Sequence, residues 1–265
     1  MSDKQYTVEK FLNTAVNLFE GVCAINSYWE ILQQFKRNLR TYNNEMNCSP
    51  AFYNIIYLSL VESLYISLAK LYDWDSRSIT LRELLDNADC ITENNFDDSV
   101  REDYIAHGNR FQHTLSIYEE QFFEQEVAEK KSICKTLGYE YSTTTVDLSF
   151  DEMVDLYNKR FKDMQKKDII KNLMTQRSRI YAHNDKKTNF DFDSVWEQSP
   201  LKESDLCELI DFATEYLRFY IEVLTGISKA ATYVNIEDWK LTLEMVRDGI
   251  NCHNEYLEKL ESENI

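Results

Sequence analysis

The stretch Gln176–Lys187 reads QRSRIYAHNDKK and gathers two arginines, two lysines and a histidine into a dozen positions. A guanidinium grips a phosphate through two parallel N–H bonds. An imidazole gains and loses a proton near neutrality and can move one during a reaction. Arg177 and His183 are therefore the residue types that phosphodiester chemistry needs, one to hold the phosphate and one to shift a proton. Asn184 and Asp185 follow the histidine and favour turns, so His183 is expected at a helix C-terminus, where the dipole favours the protonated ring. On an ideal helix Arg177 and His183 lie about 120° apart. They converge only if the helix frays near His183 or if both edge one cleft. Arg179 shares a helical face with His183. Arg177 falls close to the apolar stripe of Ile169, Ile170, Leu173, Ile180 and Tyr181, where an unpaired arginine is costly.

The surroundings of this stretch are basic in an acidic chain. Lys159 to Lys187 holds ten bases against three acids, an excess of +7, whereas the whole chain carries -17 and the remainder therefore -24. An anion would be repelled by most of the molecule and drawn here. A solvated helix face explains a charge run equally well, so charge alone does not make a site. The same acidity argues against nucleic-acid binding by the surface at large.

Other chemistry is sparsely supported. His107, His113 and His253 look isolated, and no His/Cys/Asp cluster has metal-ligand spacing, so neither a metal nor a cofactor is expected. The carboxylates Glu119, Glu120, Glu124 and Glu126 lack an accompanying Glu-x-x-His and read as a solvated face. No Gly-x-Ser-x-Gly elbow suggests a serine nucleophile.

The elements that would position the motif are helices. Only five Gly and two Pro interrupt 265 residues, and apolar residues recur with a 3.6-residue period. Phe11, Leu12, Ala15, Leu18 and Phe19 mark one helix from Val8 to Phe19. Val22, Ile25, Trp29, Leu32, Phe35 and Leu39 mark a second, from Val22 to about Asn44. Pro50 opens a third, and Ala51–Leu71 is apolar nearly all round, so it is expected to be the most buried. Thr80 with Glu83 predicts a capping box for Leu81–Asn87, and Ser149 with Glu152 another for a helix through Met164. Between them the spacing of Tyr104, Phe111, Leu115, Tyr118 and Phe122 predicts a long acidic helix over Ser99–Lys135. Asp168–His183 follows, then a polar loop to Pro200, then helices over Glu203–Leu224 and Asp238–Glu261, the last after an Asn235 cap. The fold class is all-α with at least seven helices and at most a short hairpin. One domain spanning 1–265 is expected, its motif-bearing core about 50–225, with 1–49 and 226–265 as accessory helices. The abundant tyrosines should line helix seams, their hydroxyls reaching water or a partner.

No apolar leader precedes the first helix, and no apolar run reaches the roughly 18 residues of a membrane span without interruption. The six cysteines are scattered and read as reduced, mostly buried thiols. Together these features predict a cytoplasmic protein with no membrane partner.

The stretch Arg177-Ser178-Arg179-Ile180-Tyr181-Ala182-His183-Asn184-Asp185 resembles the signature of the HEPN superfamily, an arginine followed by a polar residue and, a few residues on, a histidine. Its ending, and the earlier Leu68-Ala69-Lys70-Leu71-Tyr72-Asp73 with Thr80-Leu81-Arg82-Glu83-Leu84-Leu85, look like the abortive-infection branch of that superfamily. The resemblance implies a HEPN-like helical bundle, here with additional long helices. It implies dimerisation that brings two Arg–His pairs to one cleft, and a metal-independent endoribonuclease of a phage-defence or toxin–antitoxin system. Arg177 would hold the scissile phosphate and His183 would assist proton transfer. Ser178, Arg179, Asn184, Asp185 and Lys186 would contact RNA or a nucleotide. Ser178 stands where the family often has Asn or Asp, and Asp185 where some toxins carry a tyrosine that their antitoxin modifies. A homodimer, RNA and an antitoxin or regulatory protein are the implied partners. The alternative is a non-catalytic HEPN module that binds RNA, a nucleotide or a protein through the same cleft.

Overall fold

The computed structural model describes residues 6–75, 78–117, 142–182, 195 and 197–263. The fold is all-α with a single two-stranded sheet among the described residues. Helix α1 spans Val8–Asn38 without a break. Two helices are predicted here, yet Gly21 sits inside one. A helical glycine costs about 1 kcal/mol relative to alanine. Burial of Leu18, Phe19, Val22 and Ile25 on either side of it outweighs that cost. Thr7 caps the helix, its hydroxyl accepting from the Lys10 N–H at 3.2 Å.

After the short α2 (Asn43–Met46), α3 runs over Pro50–Leu71 with the proline in its first turn. It is not the most buried helix. Leu64, Tyr65, Leu68, Ala69 and Leu71 are buried, whereas Phe52, Ile55 and Leu58 are 55%, 64% and 66% exposed. The second half of α3 packs into the core; in the first half Tyr53 and Tyr57 meet Phe35 of α1, and the face carrying Phe52, Ile55 and Leu58 is uncovered among the described residues. All-round apolarity does not distinguish a core helix from one with an uncovered face. By length and composition α3 would also suffice to cross a membrane, but its second half is built into the bundle.

Helix α4 is Leu81–Leu85. The capping box expected at its start does not form: Thr80 makes no side-chain cap bond, and Glu83 pairs with Lys10 at 3.0 Å instead. Helix α5, Asp98–Ala106, is capped by Asp97. It ends there, so the long helix over Ser99–Lys135 is overturned. Gly108 and Asn109 both take left-handed backbone angles, φ 69° and 58°, and turn the chain out of the helix. Strand β1, Phe111–Ile117, then pairs antiparallel with β2, Ser142–Leu148, with Phe111 opposite Leu148. Phe111 packs between Phe96, Tyr104 and Phe219, so its apolar character serves a strand. Thr143, Thr144 and Thr145 suit the partner strand, being β-branched. Tyr118 and Phe122 lie outside the described residues.

The second capping box forms as expected. Glu152 N–H donates to Ser149 Oγ at 3.3 Å, and Ser149 N–H donates to the Glu152 carboxylate at 2.8 Å. It opens α6, Phe150–Lys166. Asp168, left-handed at φ 58°, separates α6 from α7, Ile169–Gln176. Helix α8 spans Glu203–Thr225 and ends on Gly226 at φ 66°; α9 spans Asp238–Glu263. Asn235 precedes α9 with φ 59°, its carbonyl accepting from the Asp238 N–H at 3.1 Å.

Buried side chains from α1 and from α3 through α8 form one contiguous cluster. Its aromatic part includes Phe11, Phe150, Tyr157, Phe212, Tyr216 and Tyr220. The tyrosines do not all behave as expected. Tyr72 donates its hydroxyl to the Leu209 carbonyl at 2.6 Å, but the hydroxyls of Tyr157, Tyr216 and Tyr220 are buried without a hydrogen-bond partner among the described residues. Burial pushes all of these phenols above their ordinary pKa. The cysteines also depart from expectation. Cys207 is buried, but Cys23 and Cys90 are half-buried and Cys48 and Cys252 exposed, while Cys134 lies outside the described residues.

Candidate functional site

Helix α7 is held along its length before it reaches Arg177. Ile169, Ile170 and Leu173 are buried, as their spacing predicts. Two side-chain amides tie the helix to the segment before α8: Asn172 Nδ2 donates to the Pro200 carbonyl at 2.9 Å, and Gln176 Nε2 to the Ser199 carbonyl at 2.6 Å. Gln176 has no exposed surface. It lies three residues after Leu173, on the same stripe, and that spacing was the signal by which sequence reasoning could have found it.

At Arg177 the helical register changes. Arg177–Ala182 is a π-helix, with hydrogen bonds spanning five residues. The Arg177 N–H bridges the junction, donating to both the Leu173 and Met174 carbonyls. The α-helical angle between Arg177 and His183 therefore does not apply. Such π segments recur at functional sites because they redirect side chains without ending the helix. Arg177 and Ser178 are half-buried and Arg179 is exposed. Ile180 and Tyr181 are only half-buried, less than the stripe predicts. Tyr181 stacks on Tyr65 of α3, ring centroids 4.7 Å apart. Burial raises the Tyr65 phenol and pushes the Tyr181 phenol up to about 12, so both stay neutral at physiological pH. His183, Asn184, Asp185 and Lys186 lie outside the described residues. A cleft of about 250 Å³ opens beside the π segment, lined by Tyr57, Val61, Tyr65 and Tyr181, with the Lys36–Glu203 ion pair among its walls.

The electrostatics of the basic run differ from the sequence expectation. Four of its bases are paired with carboxylates, two of them within the run at the surface. Arg160 pairs with Glu215, Lys167 with Glu208 at 3.4 Å, Lys166 with Asp163 at 3.2 Å, and Lys171 with Asp168 at 3.3 Å. Among the described residues no carboxylate pairs with Arg177 or Arg179, and the Arg177 Nε is buried without a hydrogen-bond partner. Only Glu215 and Glu208 come from outside the run, so the excess falls from +7 to +5, and among its described residues Lys159, Lys162, Arg177 and Arg179 have no carboxylate partner. A buried donor left unmade costs about 1–3 kcal/mol, which an anion bound there would relieve.

A second polar group went unseen in the sequence. His113 is not isolated. Its Nε2 lies 3.7 Å from the Glu215 carboxylate, within ion-pair reach but too far for a hydrogen bond, and its ring meets Tyr157 edge to face. Burial would raise Glu215, but His113 and Arg160 together hold its carboxyl below the ordinary value. Asp211, one turn earlier on α8, is pushed up to about 7 by burial and by Glu215. Glu215, His113 and Arg218 line a cavity of about 420 Å³ between α5, β1, α6 and α8. Only the hairpin brings His113 to α8, and no local spacing in the sequence announces that pairing. Among the described residues no group of His, Cys, Asp and Glu is arranged to hold a metal ion.

Comparison with curated proteins gave no match, and comparison with solved structures gave none either. The family model HEPN_AbiU2, described as AbiU2, a HEPN-type abortive-infection domain, matches residues 9–242. That span includes α1 through α8, the helix carrying Arg177 and the start of α9. The chain belongs to the AbiU2 family of HEPN abortive-infection domains.

Proposed function

We propose that this chain is a metal-independent endoribonuclease of a cytoplasmic phage-defence or toxin–antitoxin system. The observation that carries the reading is Arg177. Arg177 is half-buried at the α-to-π junction, and among the described residues no carboxylate pairs with its guanidinium and its Nε has no hydrogen-bond partner. A site built this way is suited to an anionic ligand. In the reaction, Arg177 holds the non-bridging oxygens of the scissile phosphate. The RNA 2′-hydroxyl attacks the phosphorus, the bond to the 5′-oxygen breaks, and a cyclic 2′,3′-phosphate remains. One proton leaves the 2′-hydroxyl and one reaches the departing oxygen, and His183 is assigned to that transfer by the motif. Arg179, exposed beside Arg177, adds a phosphate contact, and Ser178, Asn184, Asp185 and Lys186 complete the RNA-binding set.

The working unit in this reading is a homodimer that brings two Arg177–His183 pairs together. The uncovered strip of Phe52, Ile55 and Leu58 on α3 supports a protein contact on the helix that also carries Tyr65. An antitoxin or regulatory protein is the other candidate for that strip. Incubation of the purified protein with a mixed RNA pool, with and without EDTA, tests the proposal. Cleavage that survives EDTA and leaves cyclic phosphate ends is expected, and its absence at high enzyme concentration would refute it.

The internal pairing of Arg160, Lys166, Lys167 and Lys171 favours one other reading. It lowers the excess of the run from +7 to +5 on a chain of charge -17, better suited to seating one phosphate group than a length of RNA backbone. A non-catalytic module that binds a nucleotide or a partner chain would need no more. Nucleotide binding without RNA cleavage would establish that reading in place of the first.

A further inference from the structure

We propose that the cavity between α5, β1, α6 and α8 binds a small zwitterion, a free α-amino acid with an apolar side chain. The inference is independent of the Arg177 site, since the cavity shares no lining residue with the cleft beside the π segment. Its volume of about 420 Å³ lies toward the lower end of the roughly 300–1,000 Å³ usual for small-ligand pockets. One face of α8 forms a wall. Glu215, Arg218, Phe219, Glu222 and Val223 fall on that helical face and all line the cavity.

Most charges around the cavity are engaged. Arg160 pairs with Glu215, which His113 also approaches, and His107 lies 3.4 Å from the exposed Asp103. Arg110, in an adjoining recess that Glu222 also lines, pairs with Glu152 at 3.2 Å. Arg218 and Glu222 are left over. Arg218 is half-buried, its Nε is buried, and its side chain makes no hydrogen bond or ion pair among the described residues. Glu222, half-buried one turn further along the same face, has no partner for its carboxylate among them either. The two do not pair with each other, although four residues separate them. Arginine ahead of glutamate is the weaker order for such a pair, because the reverse order suits the helix dipole.

A half-buried guanidinium and a half-buried carboxylate without partners are destabilising, and a ligand of matching charges relieves both. Side chains four apart on a helix stand about 5–6 Å apart at Cβ. A ligand that bridges them carries its two charges close together, as an α-amino acid does. Its carboxylate meets Arg218, whose N–H groups can grip both oxygens, and its ammonium meets Glu222. The remaining wall selects the side chain. Phe111 and Phe219 meet edge to face with centroids 5.3 Å apart, and the buried Met153 and Val223 lie on the same lining. A phosphate or other simple anion fits less well, because Glu215 and Glu222 both face it with negative charge.

Isothermal titration calorimetry of the full chain tests the proposal, with L-leucine, L-methionine and L-phenylalanine as probes. At least one is expected to bind. Arg218→Gln and Glu222→Gln are each expected to weaken that binding at least tenfold, with unfolding midpoints close to wild type because neither residue has a partner to lose. Removing one charge from the probe, as 3-phenylpropanoate and phenethylamine do for phenylalanine, is expected to weaken binding at least tenfold. The exchange of Arg218→Glu with Glu222→Arg restores the favourable order for an intrahelical pair, so it is expected to abolish binding and raise the unfolding midpoint. Absence of binding by every probe at millimolar concentration overturns the proposal, as does undiminished binding by both single variants. Equal binding of the probe that lacks its ammonium would make this a site for a simple carboxylate and overturn the zwitterion. No RNA enters the titration, so its outcome stands apart from that of the nuclease reading.

Discussion

Tyr181 lies against Tyr65 with ring planes 28° apart and centroids 4.7 Å apart, and this stack fastens the π segment that begins at Arg177 to helix α3. The ring, not the hydroxyl, provides the contact, because burial keeps the Tyr181 phenol neutral up to about 12. Tyr181→Phe should therefore behave as the wild type. Tyr181→Ala should lose about 1–2 kcal/mol in urea unfolding, from the aromatic pair and the buried area. It should also lower single-turnover RNA cleavage under conditions where the protein remains folded. Equal cleavage by the alanine and phenylalanine variants would show that the stack does not position the motif.

Arg177→Ala and His183→Ala should each reduce RNA cleavage by at least a hundredfold, the range general acid–base and oriented phosphate contacts supply. Arg179→Ala should raise KM more than it lowers kcat, being an added phosphate contact. Arg177→Ala removes a buried donor without a partner among the described residues, a gain that offsets the packing lost with the half-buried side chain, and should leave stability nearly unchanged. Binding should weaken steeply between low and moderate salt, because a small cationic spot on an acidic body acts through Coulomb attraction. Wild-type rates from His183→Ala would remove that residue from the reaction.

Asp211 sets a pH dependence of stability. Its carboxyl titrates near 7 in the folded chain against 3.8 for the unperturbed group, because of burial and the neighbouring Glu215. Between those values the folded state holds a proton that the unfolded state has released, so this group makes stability fall as pH rises from about 4 to above 7. Asp211→Asn should remove that group's contribution to the slope and be more stable than wild type by about 4 kcal/mol at pH 8, with little difference near pH 4. Urea denaturation across that range reads it directly, and parallel slopes for the two proteins would contradict it.

Gly226 ends α8 where a side chain would not fit. Its φ is 66°, and a Cβ there would sit 2.7 Å from Asp97 Oδ1 and 3.0 Å from Ser99 Oγ. Asp97 is the N-cap of α5, and its N–H donates to the Val223 carbonyl at 2.9 Å, so the two helix ends interlock. Gly226→Ala should cost about 1–3 kcal/mol, from left-handed strain and displacement of the cap. In an Asp97→Ala background the same change should cost less, because the clashing carboxylate is gone. Additive losses in the double mutant would mean that the cap and the glycine act separately.

The amino-acid sequence by itself determined the helical class and the position of several helices. These follow from local physics: apolar spacing at Phe11–Leu32 and Ile169–Leu173, a proline at the start of α3, and the Ser149–Glu152 box each act within a few residues. Tertiary structure decided what depends on distant partners. Phe111 and Leu115 have helical spacing from Tyr104, yet Gly108 and Asn109 turn the chain and the partner strand Ser142–Leu148 claims them. Gly21 stays helical because the core on either side holds it there. The basic run Lys159–Lys187 has a charge that sequence can count, but Glu208 and Glu215 reach it only when α8 packs against α6, and that packing leaves Arg177 without a carboxylate partner among the described residues. His113 joins Glu215 by the same route, through a contact across the fold. Charge balance and burial are sums over neighbours, and neighbours that lie far apart in the chain are chosen by the fold.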